Sequence, residues 1–234
     1  KNLFENCEKI LVLKDGYPFI EEIISDFLAE NRAVIGRLSG HVNRVGELDP
    51  DSIKKALGFE VEITESIPEV VSGRPPELCV GCAHRDLFNA VNVLGKENSS
   101  QKVFGDIGCY ALGVLDPFAS IDTLIDMGAS ITMAKGASDA GIHPAIAIIG
   151  DSTFTHSGMT GLLEAVIEDT PITVIISDNS AIAMTGAQDS AASGRIVDIC
   201  KGIGIAEEHL ILITPLHKNL QNNVDLIRHE INHP

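Results

Sequence analysis

Tryptophan is absent from the 234 residues, and the aromatic side chains are only eight Phe and two Tyr. Any core this chain builds has to be aliphatic. Basic residues are scarce as well: 17 Lys and Arg stand against 33 Asp and Glu, a formal net charge of −16. Such a surface repels phosphodiester backbones, which argues against nucleic acid as a partner. No apolar run approaches the roughly 18 residues that would suggest a spanning helix, and no basic segment leads into a cleavable apolar one. Neither membrane insertion nor secretion is signalled, so the expected location is the cytoplasm. Cysteines number five, an odd count that suits reduced thiols better than a disulfide framework. What the chain has in quantity is apolar bulk, 44% of its residues, enough for one large domain or for one domain and a fragment.

Residues 1–57 read as a partial α/β segment from a preceding domain. Cys7 to Leu13 suits a buried strand, and Tyr17, Ile20, Ile23, Ile24, Phe27 and Leu28 recur at the spacing of one helical face over Tyr17 to Glu30. Asp49 and Pro50 supply an N-cap and a first helical residue for a short helix to about Leu57. Residues 58–76 contain Pro68, Gly73, Pro75 and Pro76 and read as a linker. From 77 to 234 apolar strands alternate with helical patterns, the signature of a parallel sheet covered by helices on both faces. The expected strands are Lys102 to Gly105, Ala145 to Gly150, Ile172 to Ser177 and Leu210 to Ile213, the middle two with both faces buried. Helices are expected over Ser157 to Asp169 and, on the spacing of Leu216, Leu220, Val224, Ile227 and Ile231, at the end of the chain. Cys7 and Cys200, in apolar contexts, are expected to be small core residues.

Ligands of open parallel sheets lie beyond the carboxyl ends of the strands. Two such ends carry polar residues: Ile149-Gly150-Asp151-Ser152, and Ser177-Asp178-Asn179-Ser180 after the following strand. The interval from Asp151 to Asn179 leaves room for one helix and one strand. If the two strands are neighbours, a carboxylate, an amide oxygen and a nearby main-chain carbonyl share one rim, a hard oxygen set that suits Mg²⁺ and, through it, a diphosphate. The alternative is that each residue merely caps its own turn. Cys79, Cys82 and His84 could begin a zinc site, but no second CxxC or HxxxH completes it, and a lone CxxC has too few ligands for an iron–sulfur cluster. Among the scattered histidines His156, just after the Asp151 loop, has a position that suggests an active-site role; its other reading is a polar helix start.

Gly150-Asp151-Ser152 followed by Asp178-Asn179 resembles the thiamine diphosphate motif. Cys79-Val80-Gly81-Cys82-Ala83-His84-Arg85, Gly105-Asp106-Ile107-Gly108-Cys109-Tyr110, Met127-Gly128-Ala129-Ser130 and Ala183-Met184-Thr185-Gly186 resemble, in order, the large (alpha) subunit of indolepyruvate ferredoxin oxidoreductase. Leu38-Ser39-Gly40 and Arg44-Val45-Gly46-Glu47-Leu48 resemble the segment that precedes the cofactor domain in that family. The resemblance implies a three-layer thiamine diphosphate-binding fold. It also implies that Asp151 and Asn179 bind Mg²⁺ by their side chains and Ala181 by its carbonyl, that Gly150 opens the motif, and that Ser152 and Thr185 contact the diphosphate. Met127 and Gly128 would support the thiazolium ring, Cys82 would lie in the loop against the cofactor, and Asp106, Gly108 and Cys109 would line the same pocket. The chain departs from the family at Val80 and Ala83, where prolines are usual, and at Ser152, where the wider superfamily has Gly.

The activity implied is oxidative decarboxylation of aryl 2-oxo acids such as indolepyruvate to acyl-coenzyme A, with electrons passed through iron–sulfur clusters to ferredoxin. The activating glutamate of the cofactor's pyrimidine is expected from a pyrimidine-binding domain or chain outside these residues. The clusters are likewise expected in other segments or in a partner, and the implied partners are a small (beta) oxidoreductase subunit, ferredoxin and further copies in an oligomer. Two other readings share the motif: a non-oxidative decarboxylase of the sulfopyruvate or phosphonopyruvate kind, and a non-catalytic cofactor-holding subunit.

Overall fold

The computed structural model describes residues 6–27, 33–61, 70–73 and 75–233. Its contacts divide the chain into two compact units, Lys1–Gly73 and Arg74–Pro234.

In the first unit β1 (Lys9–Leu11) pairs in parallel with β2 (Ala33–Ile35), joined by α1 (Phe19–Phe27). The strand is shorter than the expected Cys7 to Leu13, and Cys7 is exposed rather than part of a core. The expected helix is present over Phe19–Phe27, and the expected residues 28–30 lie outside the described ones. Its apolar face is not buried, however: Tyr17, Phe19, Ile20, Ile23 and Phe27 are exposed, whereas Glu21 is buried. The Glu21 carboxylate accepts from the N–H groups of Leu38 and Ser39, just beyond β2, at 2.9 and 3.3 Å. Asp49 caps α2 (Pro50–Ala56) by accepting from Ser52 N at 2.6 Å, with Pro50 at the first helical position.

The second unit holds a three-stranded parallel sheet of order β3 (Lys102–Gly105), β4 (Ala145–Gly150), β5 (Thr173–Ser177). Every residue of β4 is buried, because the central strand is covered on both faces. Ile146 and Ile148 pack with Leu87, Phe88 and Val91 of α3 (Ala83–Glu97). Ala147 and Ile149, pointing the other way, pack with Ile131 and Ala134 of α4 (Ala129–Asp139) and Leu162 of α6 (Met159–Ile167). The alternation places α3 and α8 (Leu220–Asn232) on one face and α4, α6 and α7 (Ile196–Ile203) on the other.

In this unit the structure departs from the expectations at several points. β5 is half-buried throughout rather than fully covered, because it is an edge strand with one paired neighbour. Leu210 to Ile213 forms no strand: Leu210 N is drawn back to Glu207 O at 3.3 Å to close a 3₁₀ turn, Pro215 follows, and Ile211 and Leu212 are exposed. The helix expected from Ser157 starts earlier, running from a turn α5 (Asp151–Thr153) through a π-helical turn (Phe154–Gly158) into α6. The last helix begins with a 3₁₀ turn at His217–Asn219 before α8.

Candidate cofactor site

The register of the sheet fixes the rim. Gly150 at the end of β4 pairs with Ser177 at the end of β5, so Asp151 and Asp178-Asn179 leave neighbouring strand ends side by side. β3 ends beside them at Gly105, paired with Ile148, which brings Asp106 to the same edge.

Asp151 is the first residue of α5 and only 3% exposed. Its Oδ2 is buried and has no hydrogen-bond partner. A buried anionic oxygen left without a donor is costly unless a cation or donor completes it. The two-residue strand β6 (Ala181–Ile182) packs against this turn. Asn179, by contrast, is exposed, and its Oδ1 accepts from Ala181 N at 3.2 Å within its own loop. Thr185 is exposed and donates to Gln188 Oε1 at 2.6 Å, while Ser152 is half-buried. Thus the fold brings Asp151, Ser152, Asn179 and Ala181 to one edge, with the Asn179 amide engaged locally.

Behind this edge stands Tyr110, in the 3₁₀ turn Cys109–Val114. Its hydroxyl donates to Ile107 O at 2.9 Å and lies 2.9 Å from Thr153 Oγ1, which itself donates to Ile107 O at 3.1 Å. Burial, above all, pushes the Tyr110 phenol up to about 12. The ring leaves no room at two glycines: a β-carbon on Gly150 would approach Tyr110 Cε1 to 2.2 Å, and one on Gly108 would meet the ring at 2.5 Å.

Asp106 is fully buried. Its Oδ1 accepts from Ile107 N at 2.9 Å and Gly128 N at 2.8 Å, and its Oδ2 from Ser130 N at 3.1 Å. Rather than facing a pocket it caps α4 from a distant segment and holds the Met127-Gly128 turn. Gly128 there has φ +90°, and a β-carbon would sit 2.4 Å from Ser157 Oγ. Met127 is partly exposed at that turn.

The Cys79 loop turns tightly: Cys82 N donates to Cys79 O at 3.1 Å across Gly81, which has φ +77°. Cys82 then caps α3, with its Sγ 3.1 Å from His84 Nδ1. His84 is buried and tilted against Tyr110, ring centroids 5.9 Å apart. Burial lowers its pKa, opposed by the nearby charge of Asp151. The Cys109 thiol is pushed up first by burial and then by Cys82 and Cys79, so Cys109 lies near that pair although it stands well after it in the sequence. Among the described residues no group of three or more His, Cys, Asp or Glu is arranged to hold a metal. Tyr110, Thr153 and Ser157 are the site residues that sequence reasoning missed. Their signal was positional: each stands within a few residues of a strand end.

The family described as "Thiamine pyrophosphate enzyme, C-terminal TPP binding domain" matches residues 106–201. Fold and match together define this part as a thiamine diphosphate-binding α/β domain. Over the whole chain the particular likeness is to indolepyruvate oxidoreductase subunit IorA, and this is an IorA-like thiamine diphosphate-binding part. The Archaeoglobus fulgidus protein is 32% identical over 258 residues, covering 100% of this chain and 40% of the relative. That of Pyrococcus horikoshii is 33% identical over 225 residues, covering 83% and 34%. The chain therefore spans two-fifths or less of the length of these relatives. Among solved structures, 2-oxoglutarate:ferredoxin oxidoreductase from Magnetococcus marinus aligns at TM-score 0.42 and 21% identity, over 51% of this chain and 42% of that one. Benzoylformate decarboxylase from Polynucleobacter necessarius aligns at 0.46 and 13%, over 98% and 48%. Alignments this loose carry nothing about activity.

Proposed function

We propose that the chain supplies the diphosphate- and Mg²⁺-binding part of a 2-oxo acid ferredoxin oxidoreductase of the indolepyruvate type. The observation that carries the reading is the partnerless, buried Oδ2 of Asp151 at the end of β4, beside the strand end that bears Asn179. The donor set fits the group: a carboxylate, the Asn179 amide oxygen and the Ala181 carbonyl are hard oxygens suited to Mg²⁺, which would tie a diphosphate to an otherwise acidic rim. Turning the Asn179 amide toward that ion requires giving up only its contact to Ala181 N in an exposed loop. Ser152 and Thr185 would contact the diphosphate, and the Met127-Gly128 turn would support the thiazolium, held in place by Asp106. Cys82 and Cys109, both packed on the same core as Tyr110, would close the apolar side.

When bound, thiamine diphosphate supplies the carbon nucleophile and the electron sink needed to release CO₂ from a 2-oxo acid. This chain's residues bind, orient and shield. The pyrimidine-activating carboxylate, the iron–sulfur clusters, the small subunit, ferredoxin and coenzyme A belong to the rest of the assembly, with aryl pyruvates as substrates and the cytoplasm as location. Among the described residues no helix is long and apolar enough to cross a membrane. Titrating the chain, with its partner chains present, with indolepyruvate, coenzyme A and oxidised ferredoxin tests the reading: it predicts ferredoxin reduction and acyl-coenzyme A. Aldehyde formed without ferredoxin would replace it by non-oxidative decarboxylation.

A further inference from the structure

The π-helical turn Phe154–Gly158 carries an exposed His156 next to Ser157. π-turns inside helices recur at functional sites, and this one faces the loop that Asp106 clamps. Ser157 Oγ donates to Met127 O at 2.7 Å. A hydroxyl has one proton to give, so in the 3.0 Å contact between Ser157 Oγ and His156 Nδ1 the imidazole must be the donor. Neutral His156 is thereby held with its proton on Nδ1, which leaves Nε2 as a proton acceptor. On the other side of Ser157, Gly128 approaches its side chain more closely than any residue with a β-carbon could. The imidazole is thus linked through Ser157 to Met127, whose neighbour Gly128 is bonded to Asp106.

Among the described residues, the charged groups on the elements packed against the turn form no ion pair with His156. On α4, Lys135 binds Asp139 at 2.9 Å and Glu168 at 2.5 Å. Glu164 on α6 is exposed, Asp151 lies one turn earlier at the sheet edge, and β4 carries no charge.

Resting on the function proposed above, we propose that His156 is a catalytic residue of this site, exchanging a proton at Nε2 with the carbonyl oxygen of the bound 2-oxo acid. As the carbonyl carbon gains its new C–C bond, the C=O π pair moves onto oxygen, and the imidazolium gives that oxygen its Nε2 proton. When the carbonyl re-forms, two electrons pass to the iron–sulfur acceptor of the proposed assembly and the neutral ring takes the proton back through Nε2. Nδ1–H stays on Ser157 throughout, so this one transfer uses Nε2 alone.

Two measurements test this. In the full chain labelled with ¹⁵N-histidine, with the His156 signal assigned by its loss in His156→Asn, the neutral ring is expected as the Nδ1–H tautomer and to shift toward Nε2–H in Ser157→Ala. An Nε2–H tautomer in the unmodified chain overturns the proposal. In the complete assembly with thiamine diphosphate and Mg²⁺, His156→Asn keeps an N–H donor near the Nδ1 position but deletes the base. It is expected to lower kcat about 100-fold, within the range of general acid–base assistance, and to leave KM and cofactor affinity near their original values. An Asn variant with the original rate means that His156 is only structural and overturns the proposal. If calorimetry shows that the unmodified chain does not bind thiamine diphosphate, the functional reading falls and this proposal with it. Binding with an inert His156 sinks the proposal alone.

Discussion

Gly150 lies so close beneath Tyr110 that a β-carbon at position 150 would stand 2.2 Å from the ring. The glycine that opens the strand-end motif is therefore required by an aromatic side chain forty residues earlier in the chain, and the two together set where Asp151 leaves the sheet. Gly150→Ala should displace the Tyr110 ring and lower stability by about 1–3 kcal/mol, the usual range for overpacking a core. Chemical denaturation measures it. Stability equal to that of the parent chain would show that the ring has space to move.

Much of the framework was legible because its signals were local. The continuous apolar run Ala145 to Gly150 gave the central strand to the residue, and Asp49-Pro50 marked the start of α2. Leu210 to Ile213 has the same composition as a strand but forms none, since pairing depends on a free neighbouring edge and on the turn that captures Leu210 N, neither of which composition records. The apolar spacing of α1 predicted the helix but not its buried side, which is decided by Glu21 meeting two backbone N–H groups seventeen and eighteen residues on. At the site, Asp151 and Asn179 could be read from strand ends, whereas the roles of Asp106 and Tyr110 depend on contacts across the sheet edge.

Asp151 should behave as a functional residue that burdens the ligand-free fold. Asp151→Asn removes a buried charge whose Oδ2 has no partner. The variant is expected to unfold at higher denaturant, by about 1–2 kcal/mol, while losing Mg²⁺-dependent cofactor binding. A loss of stability would instead mark Asp151 as a structural cap.

Asp106 should show the opposite sign. Asp106→Asn points an amide donor at backbone N–H groups that now donate to the carboxylate. Leaving one buried N–H unpaired costs about 1–3 kcal/mol, so stability is expected to fall by that amount. Cofactor affinity should fall with it as the Met127-Gly128 turn loosens. Urea unfolding and calorimetry read the two effects, and unchanged stability would contradict the clamp.

Tyrosine titration checks the burial behind the rim. With only two tyrosines in the chain, absorbance of the tyrosinate should show Tyr110 ionising at about pH 12, and Tyr110→Phe should remove that step. The folded-state value lies above the unfolded one of about 10. The stabilisation associated with the neutral phenol is therefore complete below pH 10 and lost as pH rises toward 12. A Tyr110 that titrates near 10 would mean the ring is solvated.

The central claim is that Asp151 and its neighbours hold thiamine diphosphate through a divalent ion. Isothermal titration of the chain with thiamine diphosphate, in Mg²⁺ and in excess EDTA, tests it most directly. Binding is expected in Mg²⁺ and not in EDTA, with Asp151→Ala and Asn179→Ala each abolishing the metal dependence. Equal affinity with and without the metal, or binding unaffected by both substitutions, would contradict it.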